Sequence, residues 1–439
     1  MKVNQLIKLL PINFFFITRF LVLVIFCLLL TCLFIIQSSS AEPVKITLMM
    51  QALEATQWEP FVKEFNDQHS DIELEVIEGP NATNQVEDLY TSSFLLGNSP
   101  YDLVFMDIVW VSKFAAAGWL RSLSDRLSKV DLAAFLEGDI NGGMYQGELY
   151  RIPIRSDGGI LYYRSDLLEK NGYQPPNTFT ELINISHTLQ EKKLAEWGYL
   201  WTGKQYEGLS AMFMEVLSGY GAFWINPYTL EVGLDSTKAI EAVNFLRSTL
   251  DKKISPMGVT TYAEEEVRRL FQTGNAVFMR NWPYAFGLLS DHSSPIKGKF
   301  KIKPMVHANN YFSGSCLGGW GLGITKNSQH PDAAWEVIKF FSSEEVQRRF
   351  VLATGYVPSR RSLFNDSDIL TKFSYYPQLL NVIENSILRP PIPQYAQASD
   401  ILQRYLSAAI TNQLRPEVAM EKAAAETRYL LGKQKSNND

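Results

Sequence analysis

Apolar residues run together in VKITLMM (44–50), a β-rich stretch bounded by charge, which predicts a buried strand. Directly after it, Trp58, Phe61, Val62 and Phe65 recur at i, i+3, i+4 and i+7, one face of a helix. IELEVIEG (72–79) alternates apolar and polar positions and reads as a second strand. A helix is expected through 84–96, and DLVFMDIVW (102–110) reads as a third strand. Strand, helix, strand, helix, strand at this spacing predicts an open α/β sheet, where ligands collect at the carboxyl ends of the strands. Asp107 closes the apolar core of the third strand, which puts a carboxylate at that edge.

Past a helix near 112–118, two strand-like runs in 148–173 flank Ser156-Asp157-Gly158-Gly159, and a helix then stops at Asn171-Gly172. Residues 175–190 read as loop then helix, and 197–305 as short strands and helices rich in aromatics. PDAAWEVIKFFSSEEVQRRFV (331–351) reads as helices, with Pro331 at a first helical position and Ala334, Ile338 and Phe341 along one face. Consecutive prolines make LRPPIPQYA (388–396) extended, and helix is expected again from Ser399 to Leu431. At 439 residues the chain exceeds one hydrophobic core, so two lobes are expected. No Gly/Ser linker separates them.

The N-terminus follows another pattern. Lys2, Lys8 and Arg19 accompany FLVLVIFCLLLTCLFII (20–36) and QSSSA (37–41). A basic region, an apolar run and a small-residue site describe a secretory signal peptide, residues 1–41, cleaved after Ala41. The run is also long enough to span a bilayer, so a retained anchor stays open. LLTC (29–32) is close to a lipobox, with Thr31 where Gly, Ala or Ser is usual, and lipidation at Cys32 is a third reading.

Without that leader Cys316 is the only cysteine, so no internal disulfide can form. The formal charge of −5 becomes −8 once the three basic residues of 1–41 are set aside. Such a surface argues against nucleic acid and an anionic membrane as main partners.

No G-x-S-x-G elbow, P-loop, H-E-x-x-H or Cys/His cluster occurs, and the five histidines are scattered, so neither cofactor nor metal is expected. What recurs is aromatics beside polar groups. FMRNWPYAF (278–286) sets Trp282 and Tyr284 after a strand, LGGWGLG (317–323) surrounds Trp320 with glycine, IRSDGGI carries Asp157, and LRPPIP carries Arg389. A pyranose suits such a set, having a C–H face for a ring and a rim of hydroxyls for charged partners. Glycines beside Trp320 suggest a ring kept open for a ligand, although a buried core Trp fits as well. Asp157 also fits a turn, and Arg389 a surface charge. AEEEVRR (263–269) reads as an exposed helix face.

Five of these strings stand in an order that resembles a known family: DLVFMDIVW, IPIRSDGGILYYRSDLLEKNGY, FMRNWPY, LGGWGLGITKNS and LRPPIPQY. They resemble the extracellular solute-binding proteins of ABC transporters, in the branch that takes maltose, trehalose and related sugars, across residues 42–431. The resemblance implies a fold like that of type II periplasmic binding proteins. Two α/β lobes, 42–153 with 312–360 and 154–311 with 361–439, would be joined by crossover segments around a ligand cleft. It implies that Asp107 and Asp157 accept sugar hydroxyls and that Trp282 and Tyr284 stack or edge the sugar. Gly319 and Trp320 would offer an amide and a ring, Arg389 would donate, and Glu54, in the loop opening the first helix, is a weaker match. It further implies a periplasmic monomer without catalysis that passes its sugar to membrane permease subunits.

Two positions depart from the family's pattern. Arg155 stands where an aromatic is frequent, and TNQV (83–86) where a basic residue is common. Arg155 removes stacking area and adds donors at the site, which points to a ligand smaller or more polar than a long maltodextrin. Trehalose, maltose, sucrose or glucosylglycerol fits that description. The rival reading is an exported glycoside hydrolase using Asp107 and Asp157 as its carboxylate pair.

Overall fold

The computed structural model describes residues 19–26 and 42–435. The expected cleavage site after Ala41 and the Cys32 lipidation site lie outside the described residues. No helix among the described residues is long and apolar enough to cross a membrane.

Strands β1 (Val44–Gln51) and β2 (Ile72–Gly79) pair in parallel, joined by the helix Ala52–Gln68. That helix buries Trp58, Phe61 and Phe65, the face its periodicity predicts. Trp58 stacks on Phe350 of the helix Glu344–Thr354 with ring centroids 3.6 Å apart.

β3 (Leu103–Asp107) is shorter than the expected 102–110. The chain turns at its end because the Asp107 carboxylate accepts from the Val109 amide at 3.3 Å and caps a 3-10 turn, Ile108–Trp110. β4 (Ile152–Gly158) takes in Ser156, Asp157 and Gly158, expected as a break, so only Gly159 separates it from β5 (Ile160–Tyr163). β6 (Trp197–Leu200), β7 (Ala276–Asn281), β8 (Lys301–Lys303) and β9 (Leu317–Ile324) complete the frame.

Two sheets result. In the first, β9 runs antiparallel between β3 and β4, and β1 packs beside β3. In the second the order is β8-β5-β7-β6, with only β6 and β7 parallel. The chain changes sheet at Gly159, and a second crossing pairs Cys316 with Ile387.

The helices Ser367–Lys372 and Tyr376–Glu384 pack on Glu344–Thr354 and on β4. The final helical stretch begins at Tyr395, earlier than the expected Ser399, because Pro393 is the last proline before it. It breaks between Ile410 and Pro416, where Asn412 adopts φ 64°.

Candidate ligand-binding site

The register of the first sheet builds one wall of a site. Trp320 on β9 stands opposite Asp107 on β3 and opposite Arg155 on β4. Directly opposed residues share a face, so the three side chains project together. A cavity of about 470 Å³ opens there, lined by strands of the first sheet and, opposite, by segments that flank the second, among them Glu207, Glu264 and Trp282. Every expected site residue lies on its wall: Glu54, Asp107, Arg155, Asp157, Trp282, Tyr284, Gly319, Trp320 and Arg389. Glu54 sits in the first turn of the helix Ala52–Gln68 and not in a preceding loop.

Two arginines organise the charges. Arg155 Nη2 donates to Glu54 Oε1 at 2.6 Å, and Nη1 donates to Asp157 Oδ2. Arg389 Nη2 donates to Asp107 Oδ1 at 2.9 Å, and Nη1 to Glu207 Oε1 at 2.6 Å. Arg389 is buried and its segment is extended, so the surface-charge reading does not hold. Asp157 is likewise a buried strand residue and not a turn. Burial pushes the Asp157 carboxyl up to about 6, with the Arg155 guanidinium opposing. The Glu54 Oε2 atom is buried and has no partner.

Trp282 follows β7 directly. The Arg280 guanidinium carbon lies 4.1 Å from its ring centroid, and its Nε1 donates to Glu264 Oε1 at 3.3 Å. The ring is half-buried on the cavity wall. Tyr284 is half-buried as well, and its hydroxyl donates to Glu265 Oε1 at 2.8 Å.

Trp320 corrects the expectation of an open ring. It is 6 % exposed and stacks on Phe105 at 4.8 Å and 18°, with Trp110 at its edge. Its glycines serve another purpose. A Cβ on Gly321 would stand 2.4 Å from the Ile152 carbonyl oxygen and 2.7 Å from Arg151 Nε. One on Gly318 would stand 3.1 Å from Asp157 Cβ. The glycines let β4 and its side chains approach β9, and they do not bare the ring.

AEEEVRR also differs from expectation. The helix Glu264–Gln272 turns Glu264, Glu265 and Glu266 onto the cavity wall and buries Val267 and Arg268, so the acidic run is only partly solvated. Burial raises the Glu264 carboxyl, which accepts from Trp282. Glu207, Tyr206 and Tyr356 line the cavity without having been expected. Glu207 opens the helix Glu207–Gly219 and is gripped by Arg389, Tyr395 and Ser399. No pattern marks it, because that helix is buried almost all round. No group of three or more His, Cys, Asp or Glu placed to hold a metal occurs among the described residues.

Residues 51–348 match the family model of the bacterial extracellular solute-binding proteins. The chain belongs to that family. This solute-binding protein is 35% identical to the maltose-bound MalE3 of T. maritima, with a TM-score of 0.83 over 88% of this chain and 100% of that one. It is 28% identical over 368 residues to a probable ABC transporter-binding protein of Deinococcus radiodurans, covering 82% of this chain and 87% of the relative. It is 23% identical over 323 residues to the maltotriose-binding protein of Pyrococcus abyssi, covering 73% and 67%. Its fold is that of the type II periplasmic binding proteins, as the resemblance implied.

Proposed function

We propose that this solute-binding protein holds a small glucoside, of the trehalose, maltose, sucrose or glucosylglycerol kind, and delivers it to the permease of an ABC importer. One observation carries the reading: a cavity walled by strands of the first sheet and by segments that flank the second combines the half-buried Trp282 ring with buried arginines and carboxylates. A ring takes a sugar's C–H face, and charged groups form its stronger hydroxyl hydrogen bonds.

The lobes in this reading follow the sheets. We place the first change of lobe at Gly159 in place of 153, and assign 361–384 to the first lobe because its helices pack on that side. Ligand contacts made to both lobes would favour a closed state, since a ligand shifts an equilibrium only by its differential affinity. We assign the protein to the periplasm, as an exported monomer without catalysis. The hydrolase alternative is disfavoured because Asp107 and Asp157 are each committed to a different buried arginine.

Calorimetric titration of the purified protein with trehalose, maltose, sucrose and glucosylglycerol tests the proposal. Micromolar or tighter binding of one of them supports it. Folded protein that binds none, or that releases glucose from a disaccharide, overturns it.

A further inference from the structure

Trp320 and Tyr356 both face the cavity, and the protein fills the space they share with its own side chain. The Arg155 guanidinium carbon lies 5.8 Å from the Trp320 ring centroid and 5.2 Å from that of Tyr356. The same guanidinium is forked between Glu54 and Asp157. Arg155 is 7 % exposed, Glu54 4 % and Asp157 8 %. Two rings and two carboxylates therefore fix one planar cation. Arginine suits that position because its rigid fork loses little freedom on pairing and its plane stacks on aromatic faces.

We infer that Arg155 is a specificity-determining residue that limits the length of the bound glucoside, an inference that rests on the sugar-binding reading above. A pyranose docks by laying its C–H face on an aromatic ring. The Arg155 guanidinium takes that place at Trp320 and Tyr356. Trp282 and Tyr284 keep half-buried rings on the same cavity, so stacking positions remain on that side only. A two-ring ligand can stack there and bond its second ring through hydroxyls, for which the unpartnered Glu54 Oε2 is an acceptor. A third ring would have to displace Arg155 and leave two buried carboxylates without their cation, which a low-dielectric site strongly resists.

The test is calorimetric titration of the purified protein, of Arg155→Ala, and of the double variant Glu54→Gln/Arg155→Ala, with trehalose, maltose and maltotriose. The double variant removes one of the carboxylates that R155A leaves unpaired, so it keeps the question open to measurement if R155A does not fold. Circular dichroism confirms the fold of each. The wild-type protein should bind a disaccharide at least tenfold more tightly than maltotriose. Each folded variant should shift that ratio at least tenfold toward maltotriose. Wild-type protein that takes maltotriose as tightly as a disaccharide, or folded variants with an unchanged ratio, overturns the inference and leaves the sugar-binding reading standing. Wild-type protein that binds no sugar at all removes that reading and the inference with it.

Discussion

The guanidinium carbon of Arg280 lies 4.1 Å from the ring centroid of Trp282. Arg280 cannot retreat from that position, because Nε and Nη2 donate to the two oxygens of Glu215 at 2.8 and 2.5 Å and both side chains are fully buried. A buried ion pair thus backs the half-buried ring on the cavity wall. Trp282→Ala is expected to weaken glucoside binding by about tenfold or more, the scale of one lost aromatic contact with its area. Calorimetry measures it, and unchanged affinity in a folded variant would show that the ring is no platform.

Arg389 is the shared cation of Asp107 and Glu207, and it is 3 % exposed. Arg389→Ala leaves two carboxylates facing each other in a buried site. The expected loss of stability is about 3–5 kcal/mol, as for removal of one partner from a buried pair. Urea denaturation reads this directly, and a loss below about 1 kcal/mol would mean that water takes over the role of the guanidinium.

Trp320 fills core volume between Phe105 and Trp110. Trp320→Ala is expected to cost about 3–5 kcal/mol through the cavity it leaves. Its unfolding midpoint should fall much further than that of Trp282→Ala. Equal midpoints for the two variants would contradict the division of labour between the rings.

Asp157 titrates near 6 in the folded protein, above its ordinary 3.8, chiefly because it is buried. A carboxyl raised on folding favours the fold in its protonated form. Its contribution is complete below about pH 4 and is lost as the pH rises through 6. Asp157→Asn has no such titration. Its stability relative to the wild-type protein should therefore rise by about 2 kcal/mol between pH 4 and pH 7. Thermal melts across that range check the sign, and a flat difference would place the titration elsewhere.

Local pattern was enough for the elements that hold the site. The periodicity of Trp58, Phe61 and Phe65 defines one helix face, and the alternation in IELEVIEG marks β2, because side-chain direction repeats every 3.6 or 2 residues whatever lies beyond. The apolar core that ends at Asp107 likewise sets a carboxylate at a strand end. The expected site residues all reach one cavity, since strand ends and the segments that follow them converge there.

What each group does in that cavity was decided only by the tertiary structure. Arg155 meets Glu54 across 101 residues of sequence, and Arg389 meets Asp107 across 282. Glu207 and Glu264 carry no local mark that separates them from solvated acids, and only burial beside Arg389 and Trp282 does so. The glycines around Trp320 signal close approach in the sequence, but whether a ligand or a neighbouring strand approaches depends on β4 and Arg151. Periodicity assigns a side chain to a face. The neighbour it finds there, and so its charge state, its exposure and its use, depends on contacts that no local window contains.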